Sequence, residues 1–120
     1  MKLNVLKSKI HRATVTEANL DYIGSITIDE ALMEAAGLYE YEKVSVVDVT
    51  NGSRLQTYII RGERGSGVVC LNGAAAHLIH KDDVVIIMAY TWIDECELSE
   101  LKPKIVFPAE KDRKPNQLID

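Results

Sequence analysis

The dipeptide Asn51-Gly52 constrains the fold of this chain more than any other local feature. It joins the Val-rich segment 43–50 to a second β-type segment, residues 54–61, and Asn-Gly between two such segments is the strongest short-range signal for a β-hairpin. Further short strands are predicted at residues 68–71, 83–93 and 105–107. Short strands separated by turns, with only brief helices between them, are typical of a small β-barrel.

Two segments in the first third of the chain add to this prediction. Residues 2–16 place polar side chains between apolar ones and are expected to be extended. The cap-type residues Thr27 and Asp29, followed by helix-forming residues and then by Gly37, predict a short helix over residues 27–38.

The most hydrophobic segment, residues 83–93, is predicted to be a central strand. Residues 84–88 within it are all apolar and are expected to be buried on both faces. Residues 74–79 are expected to turn into a second short helix. Residues 109–120 form a polar C-terminal tail, and the charged stretch 110–120 is expected to be frayed.

Size, charge and cysteine content exclude several classes of protein. A chain of 120 residues fits one compact domain, residues 1–120. The net charge of −4 argues against a nucleic-acid or anionic-membrane partner, since either would favour a basic face. No apolar run approaches the roughly 20 residues of a membrane helix, and no signal peptide is recognised. Cys70 and Cys96 are too few for a disulfide framework, so a cytoplasmic protein with reduced cysteines is expected.

Gly24-Ser25 is the candidate reactive bond. Glycine leaves its carbonyl carbon uncrowded and the serine hydroxyl lies within reach, so an N-to-O acyl shift can convert the peptide into an ester. Elimination from that ester leaves dehydroalanine, which hydrolyses to a pyruvoyl group on the C-terminal fragment. Gly-Ser is also a common turn pair, and the dipeptide alone favours a loop.

Polar residues on the predicted strands offer candidates for binding. Arg54 and Tyr58 share one face of their strand, whereas Thr57 is expected on the opposite face unless the strand twists or bulges. Lys9 and His11 share a face of the first strand, which a solvated surface would also explain.

Small residues and histidines provide two further candidate features. The small residues from Asn72 to Ala76 allow close approach of a ligand to the backbone, whose amides can hold a carboxylate. His77 and His80 have no evident third ligand, so a metal site is not expected.

Six short motifs are spread along the chain. They are Lys9-x-His11-Arg12, Tyr22-x-Gly24-Ser25, Thr50-Asn51-Gly52-x-Arg54, Thr57-Tyr58, Glu63-Arg64-Gly65-Ser66 and Asn72-Gly73-Ala74-Ala75-Ala76-His77. In their order and spacing they resemble one known family, the bacterial pyruvoyl-dependent aspartate 1-decarboxylases. The resemblance covers about residues 1 to 90.

The resemblance implies a mainly β fold, a small six-stranded double-psi β-barrel with short helices that assembles as a homotetramer. It implies self-cleavage into a β-chain, residues 1–24, and an α-chain, residues 25–120, whose Ser25 becomes the pyruvoyl cofactor. The implied reaction converts L-aspartate, bound as a Schiff base, into β-alanine and carbon dioxide for pantothenate and coenzyme A synthesis. Neither a metal nor pyridoxal phosphate is implied.

The resemblance also assigns residue roles. Arg54 would clamp the retained carboxylate of the substrate, which suits its bidentate guanidinium. Tyr58 would be the proton donor. Further substrate contacts would come from Thr57, Gly73, Ala74 and Ala75, and processing and support from Gly24, Asn72, Lys9 and His11. From the residues alone, a noncatalytic β-barrel binding module and a pyruvoyl decarboxylase for another amino acid remain alternatives.

Overall fold

The computed structural model describes residues 1–109 and 115–118, and it is built mainly from β-strands. The strands are β1 (Lys2–Thr14), β2 (Glu17–Asn19), β3 (Ser25–Asp29), β4 (Lys43–Asp48), β5 (Arg54–Gly62), β6 (Val69–Asn72), β7 (Val84–Asp94) and β8 (Lys104–Val106). One α-helix, α1 (Glu30–Ala36), follows β3, and two 3₁₀ helices span Gly73–His77 and Glu95–Glu100.

The sheet closes on itself into a barrel. Its strand order is β2-β6-β3-β5-β4-β7-β1-β8, so β1 and β2 lie near opposite ends although only two residues separate them in the chain. One of those two residues, Thr16, donates its backbone N–H to the carbonyl oxygen of Val69 in β6 at 2.8 Å. This hydrogen bond joins the segment that follows β1 to a strand near the opposite end of the order. The enclosed core includes Ile10, Ile26, Ile28, Ile59, Leu71 and Ile87, all without exposed surface.

The predicted mainly β fold with short helices is confirmed. Six strands of four residues or more form the continuous middle of the order, and the three-residue strands β2 and β8 lie at its ends. The hairpin predicted at Asn51-Gly52 is confirmed, since β4 and β5 pair antiparallel around it and Gly52 has a φ of 80°. That left-handed conformation is one that glycine adopts at little cost.

The helix predicted over residues 27–38 begins later than expected. Thr27 lies in β3, and Asp29 caps α1 by accepting a hydrogen bond from the N–H of Ala31 at 2.8 Å. The reason is tertiary: β3 pairs with both β5 and β6, and this pairing outweighs the local preference. Gly37 ends the helix as predicted, with a left-handed φ of 68°.

Two predictions of burial are wrong. Residues 84–88 are not buried on both faces, because only Val85 and Ile87 are fully buried and the alternate residues are partly exposed. The C-terminal segment is not frayed at residues 115–118: Asn116 is buried and donates to the carbonyl oxygens of Thr14 and Gly67 at 2.7 and 2.8 Å. The rest of the predicted frayed stretch, residues 110–114 and 119–120, lies outside the described residues.

Candidate active site

A cavity of about 460 Å³ opens where β3 begins. Its walls are formed by Gly24, Ser25, Leu55, Gln56, Thr57, Tyr58, Asn72, Ala74, Ala75 and Leu78. Residues 55–58 pair with β4 on one edge, whereas pairing with β3 on the other edge starts only at Ile59. An open strand edge therefore faces the cavity, with the start of β3 and the 3₁₀ helix Gly73–His77 around it.

This open edge explains why Thr57 and Tyr58 both line the cavity. On an ideal strand the two side chains point to opposite faces. From the sequence, a twist or bulge was the expected way for both to reach one site. No register shift interrupts the pairing of β5 with β3 or β4. Since Ile26 pairs with Ile59, the parallel register places Ser25 alongside Tyr58.

The Ser25 hydroxyl is buried and held from two sides. Ser25 has no exposed surface, its Oγ donates to the carbonyl oxygen of Ile23 at 3.0 Å, and it accepts from Asn72 Nδ2 at 3.0 Å. The Oγ hydrogen and one lone pair of Oγ are thereby engaged in hydrogen bonds, and the second lone pair remains available for reaction.

Gly73 permits a close backbone contact beside the Gly24-Ser25 bond. Its φ is 67°, and a Cβ at this position would lie 2.8 Å from both Cα and N of Gly24. Such a distance is too short for any side chain, so only glycine allows the 3₁₀ helix to approach residue 24 this closely. The space around Gly24 itself is open, with no atom within 4 Å of the position of a Cβ.

Asn72 connects Ser25 to two residues that sequence reasoning did not select. Its Nδ2 donates to Thr27 Oγ1 at 3.1 Å as well as to Ser25, and its Oδ1 accepts from Cys70 Sγ at 3.2 Å. Burial, and to a lesser extent the charge of Glu17, raises the pKa of the Cys70 thiol, which favours the protonated, donating form.

Four predicted site residues do not line this cavity in the single chain: Gly73, which packs on Gly24, and Arg54, Lys9 and His11. Arg54 lies four residues before Tyr58 on β5, about 13 Å along an extended strand. Lys9 and His11 lie on β1, which is separated from β3 and β5 in the sheet order by β4 and β7. The ring of His11 packs against Phe107 with centroids 5.6 Å apart. Burial, with Lys9 and Arg12 nearby, lowers the pKa of His11.

Comparison with known proteins decides the family. The family model described as aspartate decarboxylase matches residues 1–114. The chain belongs to the aspartate decarboxylase family. The resemblance inferred from the motifs is thereby confirmed.

Relatives in this family match the chain over most of its length. The aspartate 1-decarboxylase of Acetivibrio thermocellus is 61% identical over 94% of this chain and 90% of its own length. Those of Porphyromonas gingivalis and Parabacteroides distasonis are 58% and 59% identical, each over 99% of this chain and over 98% and 100% of their own lengths. Among solved structures, the computationally designed msDPBB_sym2 protein has a TM-score of 0.45 and 19% identity, over 72% of this chain and 99% of its own.

The family motifs supply seven of the ten residues that line the cavity. Gly24, Ser25, Thr57, Tyr58, Asn72, Ala74 and Ala75 were selected from the sequence and line the cavity. Leu55, Gln56 and Leu78 were missed as lining residues, although they neighbour the selected ones in the chain. Thr27 was missed because only the pairing of β3 with β6 brings it to Asn72. Cys70 lies two residues before Asn72 on β6, and the sharing of a strand face by alternate residues is the signal that could have found it. Among the described residues, no cluster of His, Cys, Asp or Glu is arranged to hold a metal, and no helix could span a membrane.

Proposed function

We propose that this protein is an aspartate 1-decarboxylase, which converts L-aspartate into β-alanine and carbon dioxide in pantothenate synthesis. The observation that carries the proposal is the position of Gly24-Ser25 in the cavity wall together with Tyr58 and Asn72. The family supports the same activity, because the relatives from three organisms are each named for it. The free cysteines, Cys70 and Cys96, support a reducing compartment such as the cytoplasm.

The proposal requires Ser25 to become a pyruvoyl group by cleavage of the chain into residues 1–24 and 25–120. In the first step a bond forms between Ser25 Oγ and the carbonyl carbon of Gly24, the bond from that carbon to the Ser25 nitrogen breaks, and the hydroxyl proton passes to the nitrogen. The residues fit this step, because Ser25 Oγ is fixed by Ile23 and Asn72 and no side chain crowds Gly24.

In the mature enzyme, a ketone at residue 25 supplies the electron sink that loss of carbon dioxide next to an amine requires. Tyr58 lies in the same cavity wall and donates a proton to the carbon from which carbon dioxide departs. Thr57, Ala74 and Ala75 form the surrounding wall and position the substrate. The packing of Gly73 on residue 24 keeps this wall close to the reacting residue.

Arg54 and Lys9 point to a contribution from a second copy of the chain. Arg54 pairs with Val47, Val47 pairs with Ile86, and on the next strand Lys9 pairs with Met88. Directly opposed residues project to the same side of a sheet, so both cations lie on one outer face with Ile86 and Met88.

The same outer face carries exposed aromatic side chains. Tyr90 and Trp92 continue the alternation of β7 and are 44% and 66% exposed. An apolar face of this kind is suited to burial against another protein surface. In the proposed homotetramer this outer face covers the cavity of a neighbouring copy and supplies Arg54 to the substrate carboxylate, with Lys9 and His11 as electrostatic support.

Intact-mass spectrometry of the purified protein tests the cleavage. We expect two chains that separate at Gly24-Ser25, the larger one lighter by one ammonia than a hydrolysed chain beginning with serine. Ser25→Ala is the matched control, since it removes the attacking hydroxyl and should leave one intact chain. A wild-type chain that stays intact after prolonged warming would contradict the proposal and favour a binding module.

Two activity measurements test the substrate and the shared site. Carbon dioxide release should be fast from aspartate and slow from glutamate, because a fixed Arg54 clamp suits one side-chain length; equal rates would contradict that role. Ser25→Ala and Arg54→Ala chains should each be inactive alone, yet regain activity when co-expressed as mixed oligomers. Absence of recovery, with mixed assembly verified by native mass spectrometry, would place Arg54 and Ser25 in the same copy's site.

A further inference from the structure

Four polar side chains form a group on one side of the β3–β6 pair. Ser25 is directly opposite Asn72, and Thr27 is directly opposite Cys70. Alternate residues of a strand share a face, so the four side chains project together and directly opposed Cβ atoms lie about 5 Å apart. The intervening residues Ile26, Ile28, Leu71 and Val69 fill the core on the other side.

The orientation of the Asn72 carboxamide decides what the Ser25 hydroxyl can do. With Nδ2 on Ser25, the hydroxyl accepts from Asn72 and keeps its hydrogen on the carbonyl oxygen of Ile23. With the amide reversed, Oδ1 would face the hydroxyl and draw its hydrogen away from Ile23. The lone pair that remains free to attack the carbonyl carbon of Gly24 would then point in a different direction. The reason is that Oγ has one hydrogen and two lone pairs to share among all its partners.

Two of the three partners of Asn72 do not select between these orientations. The hydroxyls of Ser25 and Thr27 can each donate or accept, so either orientation satisfies them. Cys70 differs, because its thiol donates to Oδ1 at 3.2 Å and sulfur is a weak acceptor for the reversed NH₂ group. The other acceptor recorded for this thiol, the carbonyl oxygen of Leu71, is more distant at 3.9 Å.

We propose that Cys70 is a positioning residue for cleavage at Gly24-Ser25, because its thiol donates to Asn72 Oδ1 and keeps the amide nitrogen on the Ser25 hydroxyl. The inference rests on the proposed function, since it concerns self-cleavage. Cys70 does not touch the bond that breaks and acts through Asn72. Its burial, with 6% of its surface exposed, keeps the thiol protonated and shields the hydrogen bond from water.

The cleavage rate of Cys70 variants tests the inference. Uncleaved chain is followed by intact mass while it matures. Cys70→Ala should slow cleavage about fivefold, the effect of losing one modest hydrogen bond. Cys70→Ser places at the same position a hydroxyl that can donate or accept, so it does not select between the two amide orientations and should slow cleavage to a similar extent. Cys96→Ala is the matched control, because Cys96 is exposed and lies in the 3₁₀ helix Glu95–Glu100, outside the β3–β6 pair, and its cleavage rate should not change.

The serine variant separates positioning from a structural role. Serine nearly keeps the shape of cysteine, so the melting temperature of Cys70→Ser should stay closer to the wild type than that of Cys70→Ala, while its cleavage is slow. Cleavage of Cys70→Ala at the wild-type rate would overturn the inference. So would a Cys70→Ser variant that cleaves at the wild-type rate.

A second measurement does not depend on cleavage. In the uncleaved chain, ¹⁵N nuclear magnetic resonance should show one sharp pair of Asn72 side-chain NH₂ signals. Cys70→Ala and Cys70→Ser should each broaden or double this pair, whereas unchanged signals in Cys70→Ala would overturn the inference. A wild-type chain that never cleaves would contradict the proposed function, and the NH₂ signals would still decide whether Cys70 orients Asn72.

Discussion

The buried carboxyl group of Asp48 makes the stability of this protein dependent on pH. Asp48 ends β4 with no exposed surface, and its Oδ1 accepts from the N–H groups of Thr50 and Asn51 at 2.8 and 3.2 Å. Burial, followed by a hydrogen bond with the carboxyl group of Asp83, raises its pKa to about 6. Asp83 in turn accepts from the backbone N–H of His80 at 2.9 Å, with the His80 ring Nδ1 3.8 Å away.

The direction of the pH effect follows from the raised pKa. A carboxyl group that holds its proton more tightly in the folded chain stabilises the fold fully below pH 3.8, its ordinary pKa, and this contribution is lost as the pH rises through about 6. At about 1.4 kcal/mol for each pH unit, the loss amounts to about 3 kcal/mol. Above pH 6 the ionised Asp48 remains buried near Asp83 and lowers the free energy of unfolding.

Asp48→Asn removes the ionisation and keeps the shape of the protonated acid. The amide NH₂ can donate to Asp83 as the carboxylic acid does, so the variant should gain stability over the wild type as the pH rises. We expect the difference in free energy of unfolding to grow by about 2.5 kcal/mol between pH 4 and pH 7.5, because part of the loss has already occurred at pH 4; urea unfolding at one fixed protein concentration measures it.

A matched exposed position provides the control for this experiment. Asp21 is exposed, so Asp21→Asn should change the free energy of unfolding by nearly the same small amount at both pH values. If Asp48→Asn differs from the wild type by the same amount at pH 4 and pH 7.5, the reasoning about the buried carboxyl pair is refuted.

Three further predictions concern the cavity and the C-terminal segment. Tyr58→Phe should cleave normally but decarboxylate at least about 100-fold more slowly, as expected for loss of a proton donor; single-turnover carbon dioxide release measures this, and normal turnover would exclude Tyr58 as donor. Gly73→Ala should slow cleavage, as measured by intact mass, because its Cβ would lie 2.8 Å from Gly24. Gly52→Ala is the control, since Gly52 has a similar φ and open space around it. It should lower stability by about 1 kcal/mol without affecting cleavage. Equal cleavage rates for these two variants would refute the contact argument. Asn116→Asp should lower the free energy of unfolding by about 3 kcal/mol, since it turns an oxygen toward the carbonyls of Thr14 and Gly67; an unchanged urea midpoint would show that this segment does not stabilise the barrel.

Sequence reasoning succeeded where neighbouring residues decide the local structure. The hairpin at Asn51-Gly52 and the helix end at Gly37 both depend on backbone conformations that glycine supplies, and both were predicted. Thr27 shows the limit of such signals. It resembles a helix cap in the sequence, but strand pairing on both edges of β3 places it in the sheet.

The same limit applies to the cavity, where motifs predicted residues and strand pairing determined contacts between them. The motifs gave Ser25, Tyr58 and Asn72, because each lies in a short segment typical of the family. They could not give the hydrogen bond from Asn72 to Thr27, since it depends on the pairing of segments distant in the chain. The bond from the Cys70 thiol to Asn72 joins alternate residues of β6 and is local. The inclusion of Thr57 in the cavity likewise depends on where the pairing of β3 with β5 stops.

Arg54 shows why the family motifs predict more site residues than line the cavity of one chain. A motif fixes the identity and order of residues and carries no information on which copy of the chain contributes each one. Arg54 lies on the outer face with Val47 and Ile86, whereas Ser25 lies in the cavity at the open edge of β5. An anchored carboxylate requires the guanidinium within hydrogen-bond distance of the substrate. If Arg54 is the clamp, the proposed contact between copies has to bring the outer face that carries Arg54 to the cavity of a neighbouring copy.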